Sequence, residues 1–176
     1  MTKDLTKYTV SIYTENNIGL LNRISAIFLK RHINIESITS SQSEIDNISR
    51  FLVIVIVSKS KIKNVINQIE KQVEVIAAFY HTDKETIYLE TALYKVKSKS
   101  LFDEKHIQKI IKKSHANIVT VSPDYFVIEK TGWRNETEEL YKSLEPYGLL
   151  QFVRSGRISV SKEPINNRKI LNKNKD

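Results

Sequence analysis

The segment Arg50-Phe-Leu-Val-Ile-Val-Ile-Val-Ser58 constrains this chain more than any other. Seven consecutive apolar residues are far too few for a membrane helix, which needs about 20. Most of the seven are β-branched, which favours a strand. Successive side chains of a strand point to opposite faces, so this one is apolar on both. It must lie inside a sheet that is covered on both sides.

Periodicity places the other elements around it. Tyr8–Thr14 alternates as a strand, and Glu15-Asn-Asn-Ile-Gly19 reads as a loop. Leu20, Ile24, Ile27 and Phe28 then fall on one face of a helix spanning Gly19–Arg31. Asn34–Gln42 is a second strand, followed by a polar turn over Ser43–Asn47. After the Arg50–Ser58 strand, Ile62, Val65, Ile66 and Ile69 mark a helix over Lys61–Gln72, with Ser60 as N-cap. Val73–His81 is a fourth strand, and the order is β-α-β-β-α-β.

The same order recurs. Thr86–Lys97 reads as a strand and Asp103–Lys113 as a helix. Asn117–Val121 and Tyr125–Lys130 form a strand pair broken at Ser122-Pro-Asp124. Asn135–Tyr147 is a helix, and Leu149–Val160 closes the unit with a bend near Ser155-Gly156. His32-Ile-Asn-Ile35 and His115-Ala-Asn-Ile118 align at an offset of 83 residues, which supports a duplication. The fold class is therefore α+β: two tandem ferredoxin-like βαββαβ units. Their expected spans are residues 1–82 and 83–160, with a basic, disordered tail over 161–176. Each unit builds a four-stranded antiparallel sheet with two helices on one face. The other face awaits cover by a second unit, within the chain or across a dimer.

Charge and composition narrow the function. The net charge is +8, which invites a nucleic-acid reading. It is spread as +3, +2 and +3 over residues 1–82, 83–160 and 161–176, so neither unit carries a concentrated basic footprint. No RNA-binding aromatic pattern occupies the strands, and no helix-turn-helix segment is visible. Neither nucleic acid nor a membrane is the expected partner. The absence of cysteine removes disulfides, thiolate nucleophiles and Cys-ligated metals. The N-terminus lacks a hydrophobic signal core, so a cytoplasmic protein is expected. Only four glycines occur, none in a phosphate- or dinucleotide-binding pattern. The four histidines are scattered; His32 and His115 read as helix-end residues rather than metal ligands. Glu90 and Glu129 are expected to face solvent. No catalytic residue and no metal site emerge.

One segment carries chemistry. Glu15–Gly19 delivers the chain to the N-terminus of the first helix, where unpaired N–H groups and the helix dipole favour an anion. Gly19 permits close approach to the backbone, and Asn16 can donate hydrogen bonds. Asn34, at the start of the second strand, could accept from an ammonium through its side-chain oxygen. The pattern suits an amino acid; it also suits a plain loop with an N-cap. The equivalent loop of the second unit, Ser98–Phe102, has no glycine, so one regulatory copy and one structural copy are expected.

Glu15, Asn16, Gly19, Leu21, Arg23 and Ile24, followed by Asn34-Ile-Glu-Ser-Ile-Thr39, resemble the ACT domain of the regulatory (small) subunit of acetolactate synthase, also called acetohydroxyacid synthase. Glu85–Val96 and Val153-Arg-Ser-Gly156 resemble that family's second unit, so the likeness spans about residues 8–161. It implies a non-catalytic subunit of branched-chain amino-acid biosynthesis. Such a subunit binds and activates a large catalytic subunit and confers feedback inhibition by valine, with leucine or isoleucine as other candidates. The cofactors implied, thiamine diphosphate, magnesium and FAD, belong to the catalytic partner; this chain would hold none. Valine would bind between two ACT domains of a homodimer, at positions matching Asn16, Gly19, Asn34 and Ile35, with Ile18 and Thr39 nearby. His32-Ile33 stands where the family usually has Gly-Tyr, and Ile18 where a small residue is common; both bear on affinity and effector choice. A free-standing amino-acid sensor or transcriptional regulator built of two ACT units is the alternative.

Overall fold

A computed structural model describes residues 5–99 and 105–164. The first unit runs β1 (Thr6–Glu15), α1 (Leu20–Leu29), β2 (Ile35–Gln42), β3 (Ile48–Val57), α2 (Lys59–Ile69) and β4 (Val75–Thr82). Its sheet is antiparallel in the order β2-β3-β1-β4. The second unit holds β5 (Thr86–Lys97), α3 (Lys105–Lys113), β6 (Asn117–Val121), β7 (Tyr125–Gly132), α4 (Arg134–Leu144), a 3-10 turn over Glu145–Tyr147 and β8 (Leu149–Arg154). Its sheet runs β6-β7-β5-β8, and a short β9 (Ile158–Ser161) also pairs with β5. The two βαββαβ units anticipated from periodicity are present, and the class is α+β.

The helical stripes fall as their spacing dictates. Leu20, Ile24, Ile27 and Phe28 of α1 and Ile62, Val65, Ile66 and Ile69 of α2 are buried against Val10, Ile12, Val53 and Val55. In the second unit Ile107, Ile111, Leu140 and Leu144 pack on Tyr94, Val96, Phe126 and Ile128. Leu52 and Ile54, on the other face of β3, are buried as well, and Ile56 near its end is exposed, so the strand that is apolar on both sides is covered on both over its middle.

The duplication is visible in backbone detail. His32 and His115, 83 residues apart, both have φ of 52°, in the left-handed region. Around the first, His32 N–H bonds the Leu29 carbonyl and Ile33 N–H the Phe28 carbonyl. Around the second, His115 N–H bonds Lys112 and Ala116 N–H bonds Ile111. Each is a Schellman end, in which the left-handed residue usually is glycine.

Several expectations change. α2 begins at Lys59, with Ser58 rather than Ser60 at its N-cap, because Ser58 keeps an extended ψ of 157°. The closing strand does not merely bend at Ser155-Gly156: it stops at Arg154 and resumes as β9, so the second sheet has five strands. The compact units part after Ile87 rather than at residue 82, and from Ser159 the chain rejoins the first unit. Residues 165–176 of the expected tail, and residues 100–102 of the Ser98–Phe102 loop, lie outside the described residues.

Candidate functional site

The β1–α1 loop is held by its neighbours on three sides. Glu15 N–H donates to the Glu74 carbonyl at 2.9 Å, tying the loop to the turn before β4. Asn16 N–H donates to the Asn47 carbonyl at 2.8 Å, at the tip of the β2–β3 hairpin. Asn47 has φ of 62°, a conformation asparagine tolerates, and Ile45 of the same turn is buried beside Tyr13 and Ile48. The turn read as merely polar is thus pinned by one apolar side chain. Arg23 of α1 forms an ion pair with Glu74, fixing the helix against the same turn. A backbone hydrogen bond, then that with Arg23, hold the Glu74 carboxyl below the usual carboxylate range.

Gly19 has φ of 83°, and a Cβ built there would meet nothing within 4 Å. The glycine answers a backbone demand, not crowding, and leaves open space above the loop. No side chain caps α1 and its first turn holds no acidic residue. Its leading N–H groups are therefore available to an anion. Asn16 Oδ1 accepts from the Ser49 hydroxyl at 3.1 Å, which leaves the Asn16 amide hydrogens as donors. Ile18 is fully exposed, an apolar side chain standing in solvent beside this donor cluster.

Asn34, Ile35 and Thr39 are placed elsewhere. β1 and β2 both run antiparallel to β3, so they are parallel to each other. Ile35 is level with Val55 and Tyr8, whereas Glu15 is level with Ile48. Seven strand residues, about 23 Å at 3.3 Å each, separate the start of β2 from the β1–α1 loop. Within one copy, Asn16 and Gly19 stand at one end of the sheet, and Asn34 and Ile35 at the other. Ile35 packs on the main core, so its side chain serves the fold. Thr39 lies mid-strand opposite Leu52, on the face away from the helices. Asn34 Nδ2 donates to Glu36 at 2.9 Å, which leaves its side-chain oxygen as an acceptor. The two asparagines are thus set up oppositely: Asn16 as donor, Asn34 as acceptor.

Sequence reasoning missed a charged cluster in the second unit. Glu90, expected to face solvent, is half-buried; it accepts from the Thr137 hydroxyl at 2.8 Å and pairs with Arg154 at 3.2 Å. Arg154 also donates to Glu138 at 2.7 Å and lies over the Phe152 ring. Tyr94, fully buried, donates to the Thr137 carbonyl at 2.7 Å, and burial raises its pKa well above the ordinary phenol value. Nothing in the spacing of Glu90 marked it, because its partners lie 47 and 64 residues away. Among the described residues, no group of three histidines, aspartates and glutamates could hold a metal ion, and no helix is long and apolar enough to cross a membrane.

Comparison with known proteins follows this division of the chain. Residues 10–77 match a model described as the AHAS small subunit-like ACT domain, and residues 89–163 one for the small subunit of acetolactate synthase. The chain is 30% identical over 157 residues to the acetolactate synthase small subunit of Mycobacterium bovis, covering 89% of this chain and 93% of that one. It is 35% identical over 151 residues to the Bacillus subtilis small subunit, covering 85% and 87%. A crystal structure of the Thermotoga maritima small subunit superposes with a TM-score of 0.80 at 25% identity, covering 90% of this chain and 99% of that one.

Proposed function

The chain belongs to the family of acetolactate synthase small subunits, and from that membership we propose that it is a regulatory, non-catalytic subunit: it raises the activity of a catalytic subunit and makes it sensitive to valine. The observation that carries the effector half is the complementary pair of asparagines. Asn16 and the α1 N-terminus offer donors to a carboxylate, and Asn34 offers an acceptor to an ammonium. In this reading the thiamine diphosphate, magnesium and FAD belong to the catalytic partner.

One copy alone cannot bring these groups onto one amino acid, and a second copy can. β2 is an edge strand. If two copies join β2 to β2 across a two-fold axis, the strands run antiparallel. The start of the second β2 then lies beside the end of the first. The end of β2 is level with Ser49 and Thr14, next to the β1–α1 loop. Asn34 of one copy thereby approaches Asn16 and Gly19 of the other, which supports a homodimer through the ACT domains. The exposed Ile18 gives the hydrocarbon end of a branched side chain an apolar neighbour.

The test is reconstitution. Mixing the chain with its catalytic subunit should raise acetolactate formation, and valine should lower it. Gly19→Asp should abolish the valine effect and keep the activation. The open space at Gly19 accepts a Cβ, the left-handed backbone there costs aspartate about 1–2 kcal/mol, less than unfolds a stable unit, and its carboxylate repels that of the ligand. Asn16→Ala should weaken the valine effect in the same direction. No activation by the unaltered chain would refute the regulatory reading. Activation with no response to valine, leucine or isoleucine would refute the effector reading alone.

A further inference from the structure

The registers of the two sheets align them position by position. Tyr8, Val10 and Ile12 lie opposite Val55, Val53 and Phe51. Ala92, Tyr94 and Val96 lie opposite Lys130, Ile128 and Phe126. Lys130 therefore holds the place of Val55, which is fully buried in the first core, and is itself only 8% exposed. Among the described residues its side chain has no ion pair and no hydrogen bond. A buried ammonium without a counter-charge is costly where a valine serves, so an anionic occupant is called for. Its Nζ is not sealed in: among the described residues, the unpartnered side-chain nitrogens closed to the surface are Arg50 Nε and Arg154 Nη1. Lys130 opens instead on a cavity of 470 Å³ in the second unit, between α3 and α4.

We propose that this cavity binds a small phosphomonoester, its phosphate on the ammonium groups of Lys130, Lys109 and Lys113 and its hydroxyl-bearing remainder against Glu136 and Glu139. His106, Lys109 and Lys113 fall at i, i+3 and i+7, so one wall is a cationic face of α3. The lining holds three lysines and no arginine. Ammonium groups act on a phosphate as point charges, whereas the planar fork that selects a carboxylate is missing. A phosphate dianion also answers more than one ammonium. The facing wall, from α4, carries Glu136 and Glu139, whose carboxylates repel an anion and hold it to the lysine side. Glu136 Oε2 accepts the Trp133 N–H at 2.7 Å, which leaves Oε1 as an acceptor for a ligand hydroxyl. Ile110 and Leu140 give the carbon skeleton apolar contact. The volume lies within the range of small-molecule sites, about 300–1,000 Å³. This site is separate from the proposed valine site and uses none of its residues.

The test is a titration of the full chain with ribose 5-phosphate at about 0.15 M salt, where exposed charges are largely screened, followed on the backbone amides of α3 and α4 in a ¹H–¹⁵N spectrum. The ester should move them saturably, inorganic phosphate should bind more weakly, and ribose should not bind. Lys130→Met should weaken binding of the ester about tenfold or more. Lys109→Met, a change on an exposed helix face, should weaken it in the same direction, whereas Lys112→Met, on α3 but outside the cavity lining, should leave it unchanged. Without ligand, Lys130→Met should not lower the urea midpoint, because it removes a buried charge that has no partner. No saturable binding by the unaltered chain would overturn the proposal, as would undiminished binding in Lys130→Met, equal loss in Lys112→Met, or equal binding of ribose. Inorganic phosphate bound as tightly as the ester would overturn the role of Glu136 and Glu139. A lower urea midpoint for ligand-free Lys130→Met would show that the lysine pairs within the fold, and the proposal fails.

Discussion

His32 and His115 carry a cost that glycine would remove. Both are exposed, both have φ of 52°, and both end a helix in the same hydrogen-bond pattern. A left-handed backbone presses Cβ against the following carbonyl and costs a non-glycine residue about 1–2 kcal/mol. Glycine relieves that cost but enlarges the unfolded ensemble, returning about 0.5–1 kcal/mol. The exposed imidazoles contribute little packing, so His32→Gly should stabilise the first unit by about 0.5–1 kcal/mol. That corresponds to a rise in Tm of about 2–8 °C for a unit of this size. His115→Gly should do the same for the second unit. The two residues serve separate hydrophobic cores, so the gains should add. The assay is urea unfolding followed by circular dichroism, with His32→Ala as the control. Alanine keeps the Cβ and should stay close to the unaltered chain. If His32→Gly is no more stable than His32→Ala, the left-handed strain is not what His32 contributes and the reasoning fails.

Other perturbations test other parts of the account. Tyr94→Phe removes the donor to the Thr137 carbonyl inside the second core and should cost about 1–3 kcal/mol, read by the same unfolding assay. Gly132→Ala would put a Cβ 2.5 Å from Glu136 Oε2. That oxygen accepts the Trp133 N–H and caps α4, so the variant should lose about 1 kcal/mol, and Glu136→Ala combined with it should cost little more than either alone. Glu85 accepts from the Thr82 N–H and hydroxyl, both at 2.7 Å, and these bonds hold its carboxyl below the usual range. A lowered acid contributes stability above its unfolded pKa, about 4.3, and loses it as the pH falls through the folded value. The urea midpoint of the unaltered chain should therefore drop on acidification below about pH 4.5 more steeply than that of Glu85→Gln.

Much of the fold was legible because each helix wrote its buried face as an apolar stripe: Leu20, Ile24, Ile27 and Phe28 in one unit, Ile107 and Ile111 in the other. The histidine match at an offset of 83 proved to mark the same helix end twice. The return of the chain to the first unit at Ser159 was not legible. Leu149–Val160 alternates like one strand, and tertiary bonds, from Arg50 to the Ser159 carbonyl and from Lys162 N–H to the Glu85 carbonyl, reveal the change of allegiance. Glu90 escaped for a similar reason, since charge partners far along the chain leave no local pattern. Of the site, the loop Glu15–Gly19 was readable from its glycine and asparagine. That Asn34 lies at the far end of the sheet follows from strand order, which alternation within single strands does not express. Spacing identified the residues of the effector reading; topology demands a second copy to unite them.

That demand gives the most direct test. Gly19→Asp and Asn34→Ala homodimers should each lose valine binding, measured by calorimetry. A mixed dimer, one subunit of each variant, pairs an intact Gly19 loop with an intact Asn34 at one of its two sites. The mixed dimer should recover valine binding at one site per dimer, with affinity close to that of the unaltered protein. A mixed dimer that binds no valine, or an Asn34→Ala homodimer that binds it undiminished, would contradict an effector site shared between two copies.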